Sequence, residues 1–101
     1  MLKTRRSLLL LRKLKAIYIV KSILSETVDL SRISFKDNER YFSILLDDST
    51  RKQICRLSLD GRKKQILIPD ADKYFERFYI DGLDEIYDLK SKIIDALKNY
   101  L

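Results

Sequence analysis

The sequence predicts an α+β domain with an N-terminal helix, a three- to four-stranded antiparallel meander, and a C-terminal helix packed on one sheet face. Apolar residues recur with a period near 3.6 at both ends of the chain and alternate with a period near 2 in between, and only two glycines and one proline interrupt the 101 residues. This length suits a single domain, residues 1–101, around one hydrophobic core. Residues 1–7 are expected to be a basic tail that need not be ordered.

The first element is a helix predicted over residues 8–25, with Ser7 as its N-cap. One face of this helix carries the apolar side chains Leu10, Leu11, Leu14, Ile17, Tyr18 and Leu24, and Ala16, Val20 and Ile23 widen this stripe. Residues 1–25 carry seven basic residues and no acid, whereas the rest of the chain has 14 basic and 15 acidic residues. Cations near a helix N-terminus each cost roughly 0.3–1 kcal/mol. The segment therefore either frays or meets a partner that supplies negative charge.

The middle of the chain is predicted to form strands, because apolar residues alternate there. Residues 41–46 and 53–59 place Phe42, Ile44, Leu46, Cys55, Leu57 and Leu59 on one side of the sheet, and Tyr41, Ser43, Leu45, Ile54, Arg56 and Ser58 on the other. Asp60-Gly61 favours a tight type I′ turn that pairs residues 53–59 with residues 64–68. A further short strand is predicted at residues 76–80, and a short edge segment at residues 33–35.

The last element is predicted to be a helix that begins at Asp81, its N-cap, and continues to the end of the chain. Asp84 and Glu85 in the first turn and Lys98 in the last turn suit the helix dipole. One face is lined by Leu83, Ile86, Tyr87, Ile93, Ile94, Leu97, Tyr100 and Leu101.

Composition excludes several kinds of site. The single cysteine, Cys55, cannot form an intramolecular disulfide and is expected to be a reduced thiol in a strand. The absence of histidine removes the commonest metal ligand and the commonest general base. No catalytic residue, metal or cofactor is therefore predicted. The opening apolar run stops at Leu11, too early for a secretory signal or a membrane span, so a cytoplasmic protein without a membrane partner is expected.

Two groups of acidic residues resemble known sites. Pro69-Asp70 with Asp88 and Lys90 has the residue types of a PD-(D/E)xK nuclease. That site needs its acid and lysine on one face of a strand, whereas Asp88 and Lys90 fall in the predicted helix, where their directions differ by roughly 200°. Asp47 and Asp48, with Asp60, offer oxygen ligands for a hard cation, but adjacent acids in a hairpin loop more often form turns.

A basic patch in the middle of the chain predicts nucleic-acid binding. Its members lie on two paired strands and their turns: Arg51, Lys52, Arg56, Arg62, Lys63 and Lys64. Tyr41 is expected to share a sheet face with Arg56, so that phosphate contact and base stacking occur on one surface. The alternative is a solvated charged face. No known sequence-reading motif is present, so the base sequence of the target is not predicted.

Residues 41–57 also resemble a segment of the C-terminal region of bacterial proteins described as type I restriction enzyme R-subunit-like or as predicted restriction endonucleases. The similarity lies in Tyr41-Phe42, the apolar strand, Asp47-Asp48, Arg51-Lys52 and Ile54-Cys55-Arg56-Leu57. Residues 16–24 and 80–87 look like the opening and closing helices of that region. Gln53 stands where the family has proline, and residues 66–75 diverge. The resemblance covers about residues 14–100 and implies an accessory domain of a DNA-cleaving protein, with the nuclease itself absent from this sequence.

Two functions of different class follow from these observations. The first is a module that binds nucleic acid, with DNA the expected target, near a nuclease domain. The second is a structural or protein-interaction module that self-associates through Leu8, Leu9, Leu10 and Leu11, because four consecutive leucines on a helix cannot all face one core. An enzyme, a hydrolase by family association, comes third because the chain contains no recognisable catalytic set.

Overall fold

A computed structural model describes residues 5–38, 40–60 and 63–101, with only the backbone of residues 5–8. These residues form two α-helices and five strands. A long 3₁₀ segment connects the last strand to the second α-helix. The bounds are α1 Arg5–Leu24, β1 Ile33–Asp37, β2 Phe42–Leu46, β3 Gln53–Ser58, β4 Lys64–Pro69, β5 Phe75–Ile80, the 3₁₀ segment Leu83–Leu89, and α2 Lys90–Lys98. A shorter 3₁₀ turn, Leu30–Arg32, precedes β1.

The strands form one antiparallel meander in the order β1-β2-β3-β4-β5. The predicted α+β fold is confirmed, with five strands instead of three to four. The additional strand is β1, which pairs with β2 along its whole length, from Ile33 opposite Leu46 to Asp37 opposite Phe42. The predicted pairing of the third and fourth strands is also confirmed, with Ser58 opposite Gln65. The Asp60-Gly61 turn extends outside the described residues.

Both helices pack on the same face of the sheet, as predicted, and the hydrophobic core lies between them and the strands. A single cluster joins Val20 and Ile23 of α1, Ile44 and Leu57 of the sheet, and Leu97 of α2. The opposite face of the sheet has no helix among the described residues. Among these residues no helix is both long and apolar enough to cross a membrane.

The buried face of α1 matches the predicted stripe in the second half of the helix, where Ala16, Ile17, Val20, Ile23 and Leu24 are buried, and differs from it at Leu10, Leu11, Leu14 and Tyr18, which are exposed. Ala16, Val20 and Leu24 are fully buried and Leu9 packs against the core, whereas Leu10 and Leu14 are 55% and 50% exposed. The helix is thus rotated so that Lys13, not Leu14, lies toward the sheet. Leu10 and Leu14 line a groove together with Phe35 of β1, the edge strand on that side of the sheet. The helix already begins at Arg5, so Ser7 lies inside it and is not its N-cap.

The C-terminal helix is predicted in the right place, but it begins differently. Its first two turns are 3₁₀ and start at Leu83, with Gly82 and not Asp81 at the N-cap position. The carboxylate of Glu85 accepts hydrogen bonds from the backbone N–H groups of Asp81 and Gly82, both at 2.6 Å. This bond pattern satisfies two donors that the helix itself leaves without partners.

Candidate nucleic-acid interface

The two faces of the sheet differ in charge. The acids within strands, Asp37 and Glu76, lie on the face that the helices cover. Asp37 accepts both its hydrogen bonds from Lys13 of α1 at 2.9 Å, and Glu76 lies 3.4 Å from the ammonium group of Lys92 of α2. The strand residues of the opposite face, which we call the open face, include three cations and no acid: Lys36, Arg56 and Arg77.

The strand register brings these three cations into one row across the sheet. Lys36 pairs with Ser43, Ser43 with Arg56, Arg56 with Leu67, and Leu67 with Arg77. Because neighbouring strands lie about 4.8 Å apart, successive cations are separated by about 10 Å. The row crosses all five strands, and Lys36 and Arg77 at its two ends are exposed.

Arg56 occupies the centre of the open face and is partly buried there. Its guanidinium carbon lies 4.0 Å from the ring centroid of Phe75 and 5.0 Å from that of Tyr41. Its Nε donates a 2.6 Å hydrogen bond to the side-chain oxygen of Gln53. Arg56 and Tyr41 thus share a face, as predicted, but the guanidinium is largely committed to these contacts.

A β-bulge in β3 produces this arrangement. Ile44 pairs with Cys55 and Leu45 with Gln53, so Ile54 is an extra residue in the ladder. Ile54 is fully buried in the core, although simple alternation assigns it to the side of Arg56. The same bulge brings Gln53 and Arg56, three positions apart, onto one face.

Three aromatic rings accompany the cations on or beside the open face: Tyr41, Phe75 and Tyr79. The Tyr79 ring is 58% exposed, and the ammonium group of Lys63 lies 5.4 Å from its centroid. Tyr79 and Arg77 are two residues apart on β5 and therefore project from the same face, about 7 Å apart along the strand. Exposed rings beside cations are the groups that stack on bases and contact phosphates.

The predicted basic patch is not contiguous. Arg51 and Lys52 lie in the loop between β2 and β3, whereas Lys63 and Lys64 lie at the other end of β3, where β4 begins. The six residues of β3 separate the two pairs by about 20 Å. Arg56 lies between them, and Arg62 is outside the described residues. The structure therefore divides the patch into two ends and a centre.

The loop between β2 and β3 is organised by its two acids. Asp47 and Asp48 both have positive φ angles, of 55° and 56°, and form the tight turn expected of them. Asp47 accepts two hydrogen bonds from Arg32, at 2.7 and 2.8 Å, and Lys52 lies 3.8 Å away. The Arg32 hydrogen bond lowers the pKa of Asp47 below its ordinary value. Lys52 is thus partly paired within the chain.

Other candidate sites carry no catalytic arrangement. Asp88 lies in the 3₁₀ segment and Lys90 begins α2, so the pair cannot share a strand face as a PD-(D/E)xK site requires. Cys55 is fully buried, and this burial raises the pKa of its thiol to about 12. Within the described ranges no group of three metal-ligating side chains is close enough to hold an ion.

An apolar groove lies between α1 and β1. It is lined mainly by Leu10, Leu14, Ile17 and Phe35, and the exposed Leu11 lies on the same helix. Leu9, in contrast, packs against the core, and the side chain of Leu8 is outside the described part of the chain. The proposed leucine contact surface therefore shifts from residues 8–11 to Leu10, Leu11 and Leu14.

No protein-family model, curated protein or solved structure matches the chain. The function of the site can therefore be inferred only from its own geometry. Lys36, Phe75, Arg77 and Tyr79 were not among the predicted site residues. The alternation in residues 75–80 could have identified Phe75, Arg77 and Tyr79. It places all three on the face of the strand that points away from the buried Ile80.

Proposed function

We propose that this domain is a non-catalytic accessory module that binds nucleic acid through the open face of its sheet. The observation that supports the proposal is the sorting of charge. Both strand acids lie under the helices, whereas three of the four strand cations, Lys36, Arg56 and Arg77, cross the opposite face in one row; the fourth, Lys64, lies at the end of β4 on the helix-covered side. A surface with positive charge and exposed rings attracts phosphates and offers platforms for bases.

The three cations have different roles in this proposal. Lys36 and Arg77 are exposed and contact phosphates directly. Arg56 is held by Gln53 and two rings, so it contributes a fixed positive charge at the centre and keeps Tyr41 and Phe75 in place. The basic residues at the two ends of the sheet, Lys63 and Lys64 at one and Arg51 and Lys52 at the other, extend the attractive field.

The family resemblance of residues 41–57 supplies the context of the proposal. This segment is similar to the accessory region of restriction-endonuclease-like proteins. The module would therefore hold DNA near a nuclease domain that lies outside this sequence. A cytoplasmic location is part of this proposal, because restriction acts on DNA that has entered a cell. The proposal assigns no catalytic role to any residue of this chain.

The test is a fluorescence anisotropy titration of labelled DNA at several salt concentrations. The double variant Lys36→Ala/Arg77→Ala is expected to weaken binding and to reduce the slope of log K against log salt by about 1.4 for single-stranded or about 1.8 for duplex DNA, because two phosphate contacts are lost. The control Lys90→Ala/Lys98→Ala removes the same charge from α2. Equal losses in both variants, or no binding at low salt, would contradict the proposal.

A second function, self-association, is supported by the groove between α1 and β1. Leu10 and Leu14 are half exposed beside Phe35, which is also half exposed, and the three side chains line one contiguous apolar groove, a surface suited to a protein contact. Sedimentation equilibrium of the wild type and of the Leu10→Ser/Leu14→Ser variant measures whether the domain self-associates through this groove. A wild-type dimer that the variant loses, with an unchanged circular dichroism spectrum, would support this function, and a monomeric wild type would exclude it.

A further inference from the structure

We infer that the nucleic acid bound by the open face is single-stranded, with one unstacked base on the Tyr79 ring and its phosphate at Lys63 and Lys64. This inference rests on the proposed function and specifies its substrate class. Three features carry it: the width of the sheet, the exposure of the Tyr79 ring, and a cleft beside that ring.

The width of the open face argues against insertion into a groove of undistorted B-form duplex. Five strands with four spacings of about 4.8 Å give a surface about 19 Å wide, whereas the major groove of B-DNA is about 12 Å wide and admits a helix or a two-stranded ribbon. Rings on such a surface cannot reach bases that are stacked inside a duplex. They can stack only on bases that are already exposed, as in a single strand.

Tyr79 is the ring best placed to receive a base. Phe75 and Tyr41 already contact the guanidinium group of Arg56, whereas the Tyr79 ring is 58% exposed at the edge strand β5. Its neighbour over the ring is the ammonium group of the exposed Lys63, at 5.4 Å. A flexible lysine at this distance can turn from the ring to a phosphate as the base arrives.

A cleft beside Tyr79 has the size and lining for a phosphate group. It is lined by Lys63, Lys64, Tyr79, Ile80 and Asp81, and its volume is about 220 Å³. The lining contains two lysines and one aspartate and so has a net positive charge; Lys64 reaches it from the helix-covered side of the sheet, since it pairs with Ile80. The Lys64 ammonium also reaches the backbone carbonyl of Asp81 at 3.5 Å, which holds it at the cleft.

The remaining positive charge gives the strand a path away from this cleft. Arg77 lies about 7 Å from Tyr79 along β5 and begins the row that crosses the sheet to Arg56 and Lys36. A single strand that places one nucleotide at Tyr79 therefore meets its next cation on the same face. The other end of the row is about 19 Å away, a span that suits a short oligonucleotide.

The experiment compares three labelled probes of about 12 nucleotides: single-stranded DNA, single-stranded RNA of the same sequence, and the DNA duplex. Tighter binding of either single strand than of the duplex is the expected result. Tyr79→Ala should weaken single-strand binding by about 5- to 150-fold, the loss of one base stack, and leave duplex binding unchanged. Tyr79→Phe should restore the affinity because it keeps the ring, and Tyr18→Ala removes another exposed tyrosine, on α1, as the control.

The charged residues of the cleft provide an independent measurement. Lys63→Ala/Lys64→Ala should reduce the salt slope for single strands by about 0.7, because one phosphate contact is lost, and Asp81→Asn should raise the affinity. Duplex binding as tight as single-strand binding, or an unaffected Tyr79→Ala, would overturn the inference while the proposed function stands. Absence of binding to all three probes would overturn both.

Discussion

At the scale of single residues, the same charged side chain has different roles according to what surrounds it. Lys13, one of the seven cations of residues 1–25, is bound by both oxygens of Asp37, and Lys15 lies 3.6 Å from Asp84. Part of the negative charge that this basic segment was predicted to need is therefore supplied by the chain itself. Lys36 and Arg77, which stand on the open face, have no strand acid beside them there.

Asp47 gives a pH-dependent prediction at this scale. Its hydrogen bonds with Arg32 lower its pKa in the folded protein, so the folded state is stabilised above the ordinary pKa of 3.8, and this stabilisation is lost as the pH falls through the lowered value. Asp47→Asn removes the charge, and asparagine tolerates the positive φ. Urea unfolding should show a less stable variant at pH 7, with the difference shrinking below pH 3.8. A difference that persists unchanged at pH 2 would contradict this account.

At the scale of elements, the start of the C-terminal helix depends on one side chain. Glu85 alone accepts the two backbone hydrogen bonds from Asp81 and Gly82. Glu85→Ala should therefore lower the free energy of unfolding by about 1–2 kcal/mol, the usual cost of losing a helix cap. Thermal and urea unfolding followed by circular dichroism measure the loss.

The neighbouring acid offers a matched control for this prediction. Asp84→Ala removes another exposed acid from the same segment, but Asp84 makes a longer contact, 3.6 Å to the exposed Lys15. Its stability should change by less than about 0.5 kcal/mol. Similar losses in the Glu85 and Asp84 variants would mean that net charge near the helix terminus, and not the two hydrogen bonds, stabilises this segment.

At the scale of the whole molecule, the core defines which leucines hold the fold together. Leu97 of α2 is fully buried and Leu14 of α1 is half exposed, and both lie in helices. Leu97→Ala should cost about 2–5 kcal/mol, because it removes buried apolar surface and leaves a cavity. Leu14→Ala should change stability by less than about 0.5 kcal/mol. Chemical unfolding of both variants measures the free energy of unfolding. Equal losses in the two variants would contradict the assignment of Leu97, and not Leu14, to the core.

The element order could be predicted from sequence because its signals are local. Alternation identified the strands around Ile44, Leu57 and Ile66, and the apolar stripe of the last helix identified Ile93 and Leu97, both of which are buried. The exposure of Leu10 and Leu14 in the first half of α1 could not be predicted. There Lys13 lies toward the sheet and binds Asp37 of β1, a contact of the assembled fold that the periodicity of the helix does not contain.

The candidate site was predicted only in part for a related reason. Consecutive cations such as Arg51-Lys52 and Lys63-Lys64 are conspicuous in the sequence, but strand pairing separates them by the length of β3. Lys36 and Arg77 are isolated in the sequence and come into one row only through the register of five strands. Charge clusters along the chain are therefore a poor guide to charge clusters on this surface.

The bulge at Ile54 determines where in β3 a related chain can lack one residue. It absorbs one residue, so a chain one residue shorter at this point would keep Arg56 outside and Cys55 inside. A deletion beyond the bulge, at Leu57, would instead change the parity of the residues that follow and turn the polar Ser58 toward the core. Single-residue gaps in relatives are thus expected to be tolerated at this position and selected against in the rest of β3.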